Sequence, residues 1–377
     1  MILVVDDEPQ IRKLTKRRLE VAGFEKIETA ENGADALAKI PIIRPACVIL
    51  DINMPVMDGL ELLKRLRAEA ETKDLPVLVV TARDSRDDRN EILRAGASNQ
   101  ISKPIDGAIL VERVSGLIER KLLTDQLSQF HERLSHELSQ AAQMQEDLMP
   151  AAATIQSFET RYGVRLASHF QPSSELGGDT WALQAINDHQ FGIMMVDFSG
   201  HGVSAALNTV RLNAMMNRMD VCTGSPARYM QTINAEIADM LPLGQYCTML
   251  YALVDINANT LTYAAAAAPP PMFGQRDGGT VLVGDGSGLP VGIRPNTEYQ
   301  DLVVDFPEGS FLFLYSDALF ETELGDAGPL GIDGVTSMVE SHRRVEAEQA
   351  LGGVILTFNE RAPATLPDDL TAVWLSR

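Results

Sequence analysis

Between Val111 and Leu148 the chain contains one glycine, Gly116, and no proline. Leu123, Leu127, Phe130, Leu134, Ala141, Met144 and Leu148 recur there mostly at alternating spacings of four and three, the pattern of a helical heptad seam. As one helix, the stretch from Asp106 to Pro150 spans roughly 65 Å at 1.5 Å per residue. That is too long to be buried in one small domain, so the 377 residues are expected to divide into bodies joined by a helical, coiled-coil linker. Carried through Leu134, the heptad puts Glu137 rather than Leu138 at the next seam position, and a charge there weakens helix pairing.

Charge is distributed unevenly about this stretch. Residues 1–120 hold 19 Lys and Arg against 21 Asp and Glu; residues 121–377 hold 13 against 31, and no lysine follows Lys121. Such a surface repels phosphate backbones, which argues against a nucleic-acid partner. Cys47, Cys222 and Cys247 are odd in number and far apart, unlike a disulfide framework or zinc site, and fit a reducing compartment. The opening Met1-Ile-Leu-Val-Val turns acidic too soon for a secretory leader, and no apolar run reaches membrane-spanning length. The expectation is a soluble, cytoplasmic protein without a membrane partner.

In the first half, apolar runs at Ile2 to Val5, Cys47 to Leu50 and Val77 to Val80 alternate with helix-like segments, the pattern of a doubly wound α/β fold with a parallel sheet. Ligands in such sheets sit beyond the carboxyl ends of the strands. Those ends carry Asp6 and Asp7, Asp51, Thr81, and Lys103 followed by Pro104. Clustered carboxylates need a cation, and an oxygen-only set suits Mg²⁺ bridging to a phosphate. With the metal present, Asp51 can attack phosphorus while Lys103 and Thr81 bind the equatorial oxygens of the transferred group.

The stretches Val4-Val-Asp-Asp-Glu-Pro9, Asp51-Ile-Asn-Met-Pro-Val-Met-Asp-Gly59, Thr81-Ala82 and Lys103-Pro104 resemble the receiver domains of two-component response regulators. The resemblance implies a five-stranded receiver over residues 1–122. It makes Asp51 the phosphoacceptor, Asp7 a direct Mg²⁺ ligand supported by Asp6, and the Asn53 carbonyl a further ligand. A cognate histidine kinase or phosphotransfer protein is implied as partner. The family's inward-turning aromatic on the fifth strand is here Gln100, so output is expected to run through the last helix into the linker.

In the second half, strand-like segments dominate: Phe191 to Val196, Thr248 to Asp255, Thr260 to Ala264, Thr280 to Val283, Glu298 to Val304, Ser310 to Tyr315 and Thr371 to Leu375. Helical segments at Ser204 to Met219 and Pro226 to Asp239 complete an α+β pattern. Asp179, Asp197, Asp317 and Asp368 each stand at a strand end, and four such carboxylates can hold two divalent metals for phosphoryl displacement. Oxygen-only ligation favours Mg²⁺ or Mn²⁺ over zinc.

The stretches Gln143-Met-Gln-Glu-Asp-Leu-Met-Pro150, Gly177-Gly-Asp179, Val196-Asp-Phe-Ser-Gly-His-Gly202, Gly288-Leu-Pro-Val-Gly292, Tyr315-Ser-Asp317 and Asp368-Asp-Leu-Thr371 resemble the SpoIIE-like branch of the PPM family of metal-dependent serine/threonine phosphatases. The resemblance implies a β-sandwich flanked by helices over residues 150–377, leaving 123–149 as linker. It makes Asp197 the bridge between two metals, turns the Phe198 carbonyl toward one, gives Asp317 and Asp368 the other, and lets Asp179 bind or orient metal water. His201 is a candidate general acid, or a turn residue between glycines.

This sequence departs from the family in three places. Ala318 replaces a glycine in a turn expected to need positive φ; Ala265 to Ala268 replace Asn-Ala-Gly-His before Pro269; Trp181-Ala182 replace Tyr-Asp. The expected function is a response regulator whose phosphorylation at Asp51 controls a phosphatase acting on a phosphoprotein of the anti-sigma-factor-antagonist kind. The expected assembly is a homodimer through the helical linker. The alternative is a phosphorylation-gated adaptor with a catalytically weak or inactive phosphatase fold.

Overall fold

The computed structural model describes residues 1–82, 86–200, 202–220, 224–242, 244–324, 328–363 and 365–377, with backbone alone for 86–89. The chain forms two compact units, Met1–Leu134 and Ser135–Arg377. In the first, β1 (Ile2–Val5), α1 (Pro9–Val21), β2 (Ile27–Ala30), α2 (Gly33–Ile43), β3 (Cys47–Asp51), α3 (Gly59–Ala68), β4 (Val77–Thr81), α4 (Arg86–Arg94) and β5 (Asn99–Ser102) alternate. The strands lie parallel in the order β2-β1-β3-β4-β5. Because side chains alternate along a strand, Leu3, Val5, Val48, Leu50, Val77 and Val79 build the core on one face, and Ile2, Val4, Cys47, Ile49, Leu78 and Val80 build it on the other. The edge strand β2 is absent from the apolar runs in the sequence because it reads Ile-Glu-Thr-Ala, with Glu28 exposed.

The helices start where their caps dictate. The Asn32 side chain accepts from the Asp35 amide (2.9 Å) and Asp58 from the Glu61 amide (2.7 Å), each supplying an acceptor to a free helical N–H. Asp106 does the same for Ala108 (2.8 Å) at the head of α5 (Gly107–Glu146), a continuous helix of 40 residues. Leu110, Val114 and Leu117 of α5 are buried in the first unit, whereas Leu123, Leu127, Phe130 and Leu134 are exposed. Glu137 is exposed and Leu138 half-buried.

The second unit contains α6 (Ala152–Tyr162), β6 (Arg165–Gln171), β7 (Asp179–Ala185), β8 (Gln190–Phe198), α7 (Val203–Met216), α8 (Pro226–Ala238), β9 (Cys247–Asp255), β10 (Thr260–Ala266), β11 (Met272–Gln275), β12 (Leu282–Val283), β13 (Leu302–Asp305), β14 (Ser310–Tyr315), α9 (Ala318–Glu321), α10 (Gly331–His342), α11 (Ala347–Asn359) and β15 (Leu370–Ser376). Among the described residues these strands form two antiparallel sheets, β13-β10-β9-β8-β7 and β12-β11-β14-β15-β6. Alternation in β14 shows the layering: Leu312 and Leu314 pack between the sheets with Phe191, Leu250 and Leu375, while Phe311, Phe313 and Tyr315 face α10 and α11. The outer face of the other sheet packs on α7 and α8 through Met194, Val196, Leu212 and Ile233. The result is a sandwich with helices on both sides.

Several elements lie outside the sequence reading. Strand β6 carries Ser168, His169 and Gln171, and β7 carries Thr180 and Gln184, which dilute the apolar signal. Helices α10 and α11 contain Gly334, Gly352 and Gly353, which lower helix propensity. Trp181 is buried in the inter-sheet core, which accounts for an aromatic at that position.

Candidate functional site

In the first unit the parallel sheet delivers Asp6, Asp7, Asp51, Thr81 and Lys103 to one rim. Carboxylate oxygens of Asp6, Asp7 and Asp51 lie within 4.8 Å of one another. Lys103 Nζ donates to Asp6 Oδ2 (3.1 Å) and Asp51 Oδ2 (3.0 Å). Burial opposes the charge on Lys103, but those two hydrogen bonds outweigh it and raise its pKa. Asp51 also lies above the ordinary carboxylate range, first because it is buried and then because Asp6 repels it, with Lys103 acting against both. Three carboxylates around one ammonium leave uncompensated negative charge, which fits a hard divalent cation.

Backbone packing fixes this rim. Arg12 Nη1 donates to the carbonyls of Asp6 (2.6 Å) and Asp7 (2.9 Å). A Cβ at Gly59 would lie 2.2 Å from the Asp51 carbonyl oxygen, so only glycine lets α3 begin this close to the acceptor strand. Thr81 is buried, one strand from Asp51, and Asn53 is exposed two residues beyond β3. Gln100 lies half-buried on β5, with its Oε1 buried and lacking a hydrogen-bond partner.

In the second unit Asp179 and Asp197 face each other across the β7–β8 pair. Asp317 follows β14 and Asp368 precedes β15, strands that are neighbours in the opposite sheet. Their electrostatics show the convergence. Burial, then repulsion by Asp317, Asp368 and Asp369, pushes Asp197 up to about 8. Asp317 is raised to about 6 by burial and then by Asp368 and Glu321. Asp179, fully buried, is pushed well upward by burial and by Asp197, and its Oδ2 has no partner. An orphaned buried carboxylate oxygen beside mutually repelling carboxylates fits a divalent cation. Among the described residues, however, no three carboxylates here close to the 4.8 Å spacing of the first unit. His201 lies outside the described residues.

Two residues that the sequence reading passed over hold this cluster together. Asp369, 2% exposed, accepts from the amide (2.7 Å) and hydroxyl (3.0 Å) of Ser173 with Oδ1, and from the Gly178 amide (2.6 Å) with Oδ2. Gln145, 4% exposed near the end of α5, bonds both backbone groups of Gly177. The glycines are required by these approaches: a Cβ at Gly177 would stand 2.4 Å from Asp369 Oδ2, and one at Gly178 2.6 Å from the Phe198 carbonyl oxygen. The only advance signal was that both residues fall inside matched stretches, the Asp368-Asp369 doublet and Gln143 to Pro150.

The strain expected at Ala318 is absent. Asp317 is in the right-handed helical region and Ala318 opens α9, so a Cβ is accommodated. The strain is instead at Ala267, with φ of 53°.

A parallel-sheet acidic rim joined to a sandwich with aspartates at its strand ends defines the class: a response regulator with a receiver domain and a PPM-type phosphatase domain. The model of the family described as Stage II sporulation protein E (SpoIIE) matches residues 187–377, just over half of the chain, which belongs to that family. The model described as response regulator receiver domain matches residues 2–115. The chain is 30% identical to the phosphoserine phosphatase RsbP of Bacillus subtilis (strain 168) over 162 residues, 42% of this chain and 40% of RsbP. It is 44% identical to the transcriptional regulatory protein PrrA of Mycobacterium leprae (strain TN) over 120 residues, 32% of this chain and 50% of PrrA. The matches thus span half or less of these curated relatives' lengths. The SiaA-PP2C domain of Pseudomonas aeruginosa shares the fold, with a TM-score of 0.59 at 21% identity over 66% of this chain and 98% of that one. So does the PP2C phosphatase domain of SpoIIE from Bacillus subtilis, with a TM-score of 0.50 at 14% identity over 57% and 64%. Among the described residues no helix is long and apolar enough to cross a membrane.

Proposed function

We propose that phosphorylation of Asp51 controls a metal-dependent phosphatase that removes phosphate from serine or threonine in a protein. We take residues 1–122 as receiver, 123–149 as linker and 150–377 as phosphatase. The observation that carries the reading is the convergence of Asp179, Asp197, Asp317 and Asp368, with the orphaned Asp179 oxygen and the raised pKa of Asp197. In the receiver, Asp7, Asp51 and the Asn53 carbonyl would hold Mg²⁺, with Asp6 in support. Asp51 attacks the phosphorus of a phosphohistidine on a kinase or phosphotransfer partner, forming an acyl phosphate as the P–N bond breaks, while Lys103 and Thr81 hold the transferred oxygens. In the phosphatase, Asp197 would bridge two Mg²⁺ or Mn²⁺ ions, with Asp317, Asp368, Asp179 and the Phe198 carbonyl completing their ligation. The bound metals supply Lewis acidity toward water and the phosphoryl oxygens. His201 is assigned as general acid for the serine oxygen.

The substrate is assigned as a phosphorylated anti-sigma-factor-antagonist-like protein in the cytoplasm, in keeping with the likeness to RsbP. The exposed α5 residues Leu123, Leu127, Phe130 and Leu134 support a homodimer through the linker. Purified protein should hydrolyse a phosphoserine protein with Mn²⁺, and acetyl phosphate should change the rate in wild type but not in Asp51→Asn. Equal rates with and without acetyl phosphate in wild type would sink the regulatory scheme.

A second reading, a phosphorylation-gated adaptor, is favoured by the wider carboxylate spacing in the second unit and by the alanines at 265–268. Absence of both Mn²⁺ binding by calorimetry and phosphoester hydrolysis would select it.

A further inference from the structure

The β6–β15 strand pair carries chemistry at both ends. At one, Gln171 pairs with Leu370, next to Asp368 and Asp369; at the other, Arg165 pairs with Ser376. Seven residues of extended chain separate these ends by roughly 20 Å. At the arginine end lies a cavity of about 320 Å³, lined by Arg165, Arg276, Arg377, Glu159, Thr160 and Ser376 among others.

Three guanidiniums in one cavity are notable in a domain so poor in cations: residues 121–377 hold only 13 Lys and Arg against 31 acids. Their charge is only partly compensated. Arg377 donates from Nη1 to the Phe306 carbonyl (2.6 Å) and from Nη2 to the Ile256 carbonyl, both neutral acceptors that fix the side chain without cancelling its charge. Arg276 pairs with Glu346 through Nη2 (3.0 Å), but its Nε is buried without an acceptor. Arg165 reaches Glu159 at 3.5 Å and is 66% exposed. Glu159, the one acidic side chain lining the cavity, is already engaged by the Leu166 amide (3.0 Å). A buried donor without an acceptor is destabilising, and like charges held together add to that.

We infer that this cavity binds a small molecule carrying a phosphate or diphosphate group. The guanidinium fork matches phosphoryl oxygens in geometry and charge. A volume near 300 Å³ lies at the lower end of small-molecule sites and admits a diphosphate with a modest organic part. The site is separate from the acidic cluster, whose carboxylates repel anions when no metal is present. It does not depend on the phosphatase being active.

The test is isothermal titration of the full-length, metal-free protein with inorganic phosphate and with pyrophosphate at low ionic strength. Wild type should bind pyrophosphate saturably at one site and more tightly than phosphate. Arg165→Gln/Arg276→Gln should weaken that binding on the order of tenfold or more, since charge-assisted hydrogen bonds are lost, while Arg218→Gln, outside the cavity, should not. Arg165→Gln alone, an exposed change that leaves the fold intact, should give a smaller loss in the same direction. No saturable binding by wild type, or equal affinity in wild type and the double variant, overturns the inference.

Discussion

Gln145 and Gly177 form a two-way amide pair: Gln145 Nε2 donates to the Gly177 carbonyl (2.7 Å), and the Gly177 amide donates to Gln145 Oε1 (3.2 Å). Nε2 also reaches Thr209 Oγ1 on α7 at 3.3 Å. The last turns of α5 are thereby tied to the backbone that presents Asp179. Gln145→Ala leaves a buried carbonyl and a buried amide unpaired, a cost of about 1–3 kcal/mol each. Mn²⁺ affinity should fall roughly tenfold, at 1.4 kcal/mol per decade, with the circular dichroism spectrum unchanged. Unaltered Mn²⁺ binding by calorimetry would show that the pair does not position the acidic loop.

Asp369 is the second clamp on that loop. Both its oxygens accept from backbone amides, Ser173 and Gly178, so asparagine can replace only one of the two acceptors. Asp369→Asn should lower stability by about 2 kcal/mol, mostly from the unpaired Gly178 or Ser173 amide. Metal affinity should fall with it. Urea denaturation gives the first quantity and Mn²⁺ titration the second; a stability loss without a change in metal affinity would separate the clamp from the metal site.

The receiver rim was legible in the sequence because a parallel sheet sends every strand end to one side, so order along the chain suffices to bring Asp6, Asp51, Thr81 and Lys103 together. Asp369 and Gln145 were not legible, since what they do depends on backbone partners 191 and 32 residues away. In the doublet Asp368-Asp369 nothing in sequence separates an acid facing the cluster from one buried against Gly178. Position 318 misled for a local reason: the turn after β14 enters a helix at once, so the residue there is right-handed and needs no glycine.

The acidic cluster makes metal-free stability depend on pH. Asp197 and Asp317 have folded-state pKa values of about 8 and about 6, above the ordinary value near 4 of an unfolded chain. Between those values the folded state holds protons that the unfolded state has released, so stability falls as pH rises from about 4 to about 8. The Tm of metal-free protein should therefore drop between pH 5.5 and 8, and Mn²⁺ should cancel the drop. Asp197→Asn should flatten the upper part, leaving the decline between about pH 4 and about pH 6 that belongs to Asp317. A pH-independent Tm without metal would contradict the repulsion.

Ala267 has a left-handed backbone, φ of 53°, within the alanine run 265–268. An L-residue there clashes through its Cβ at a cost of about 1 kcal/mol, which glycine avoids. Ala267→Gly should raise the phosphatase unfolding Tm by about 2–4 °C. A lower Tm would mean that the entropy glycine adds to the unfolded chain outweighs the relieved strain.

Glu137 tests whether α5 carries a signal from the receiver. The helix is continuous from Gly107 to Glu146, and Leu123, Leu127, Phe130 and Leu134 expose an apolar seam. One heptad step on, the seam meets exposed Glu137, with Leu138 turned half inward beside it. In a dimer joined along that seam, two facing carboxylates repel and leave the register weakly fixed, so a small bias from the receiver suffices to repack it. Glu137→Leu extends the apolar contact and locks one register. The ratio of phosphatase rates with and without acetyl phosphate should move toward one, while cross-linking through cysteines placed in the seam should become more efficient. A variant that keeps the full wild-type ratio would place the responsive step elsewhere in the chain, because a register held by leucine no longer has a second arrangement of comparable energy to select.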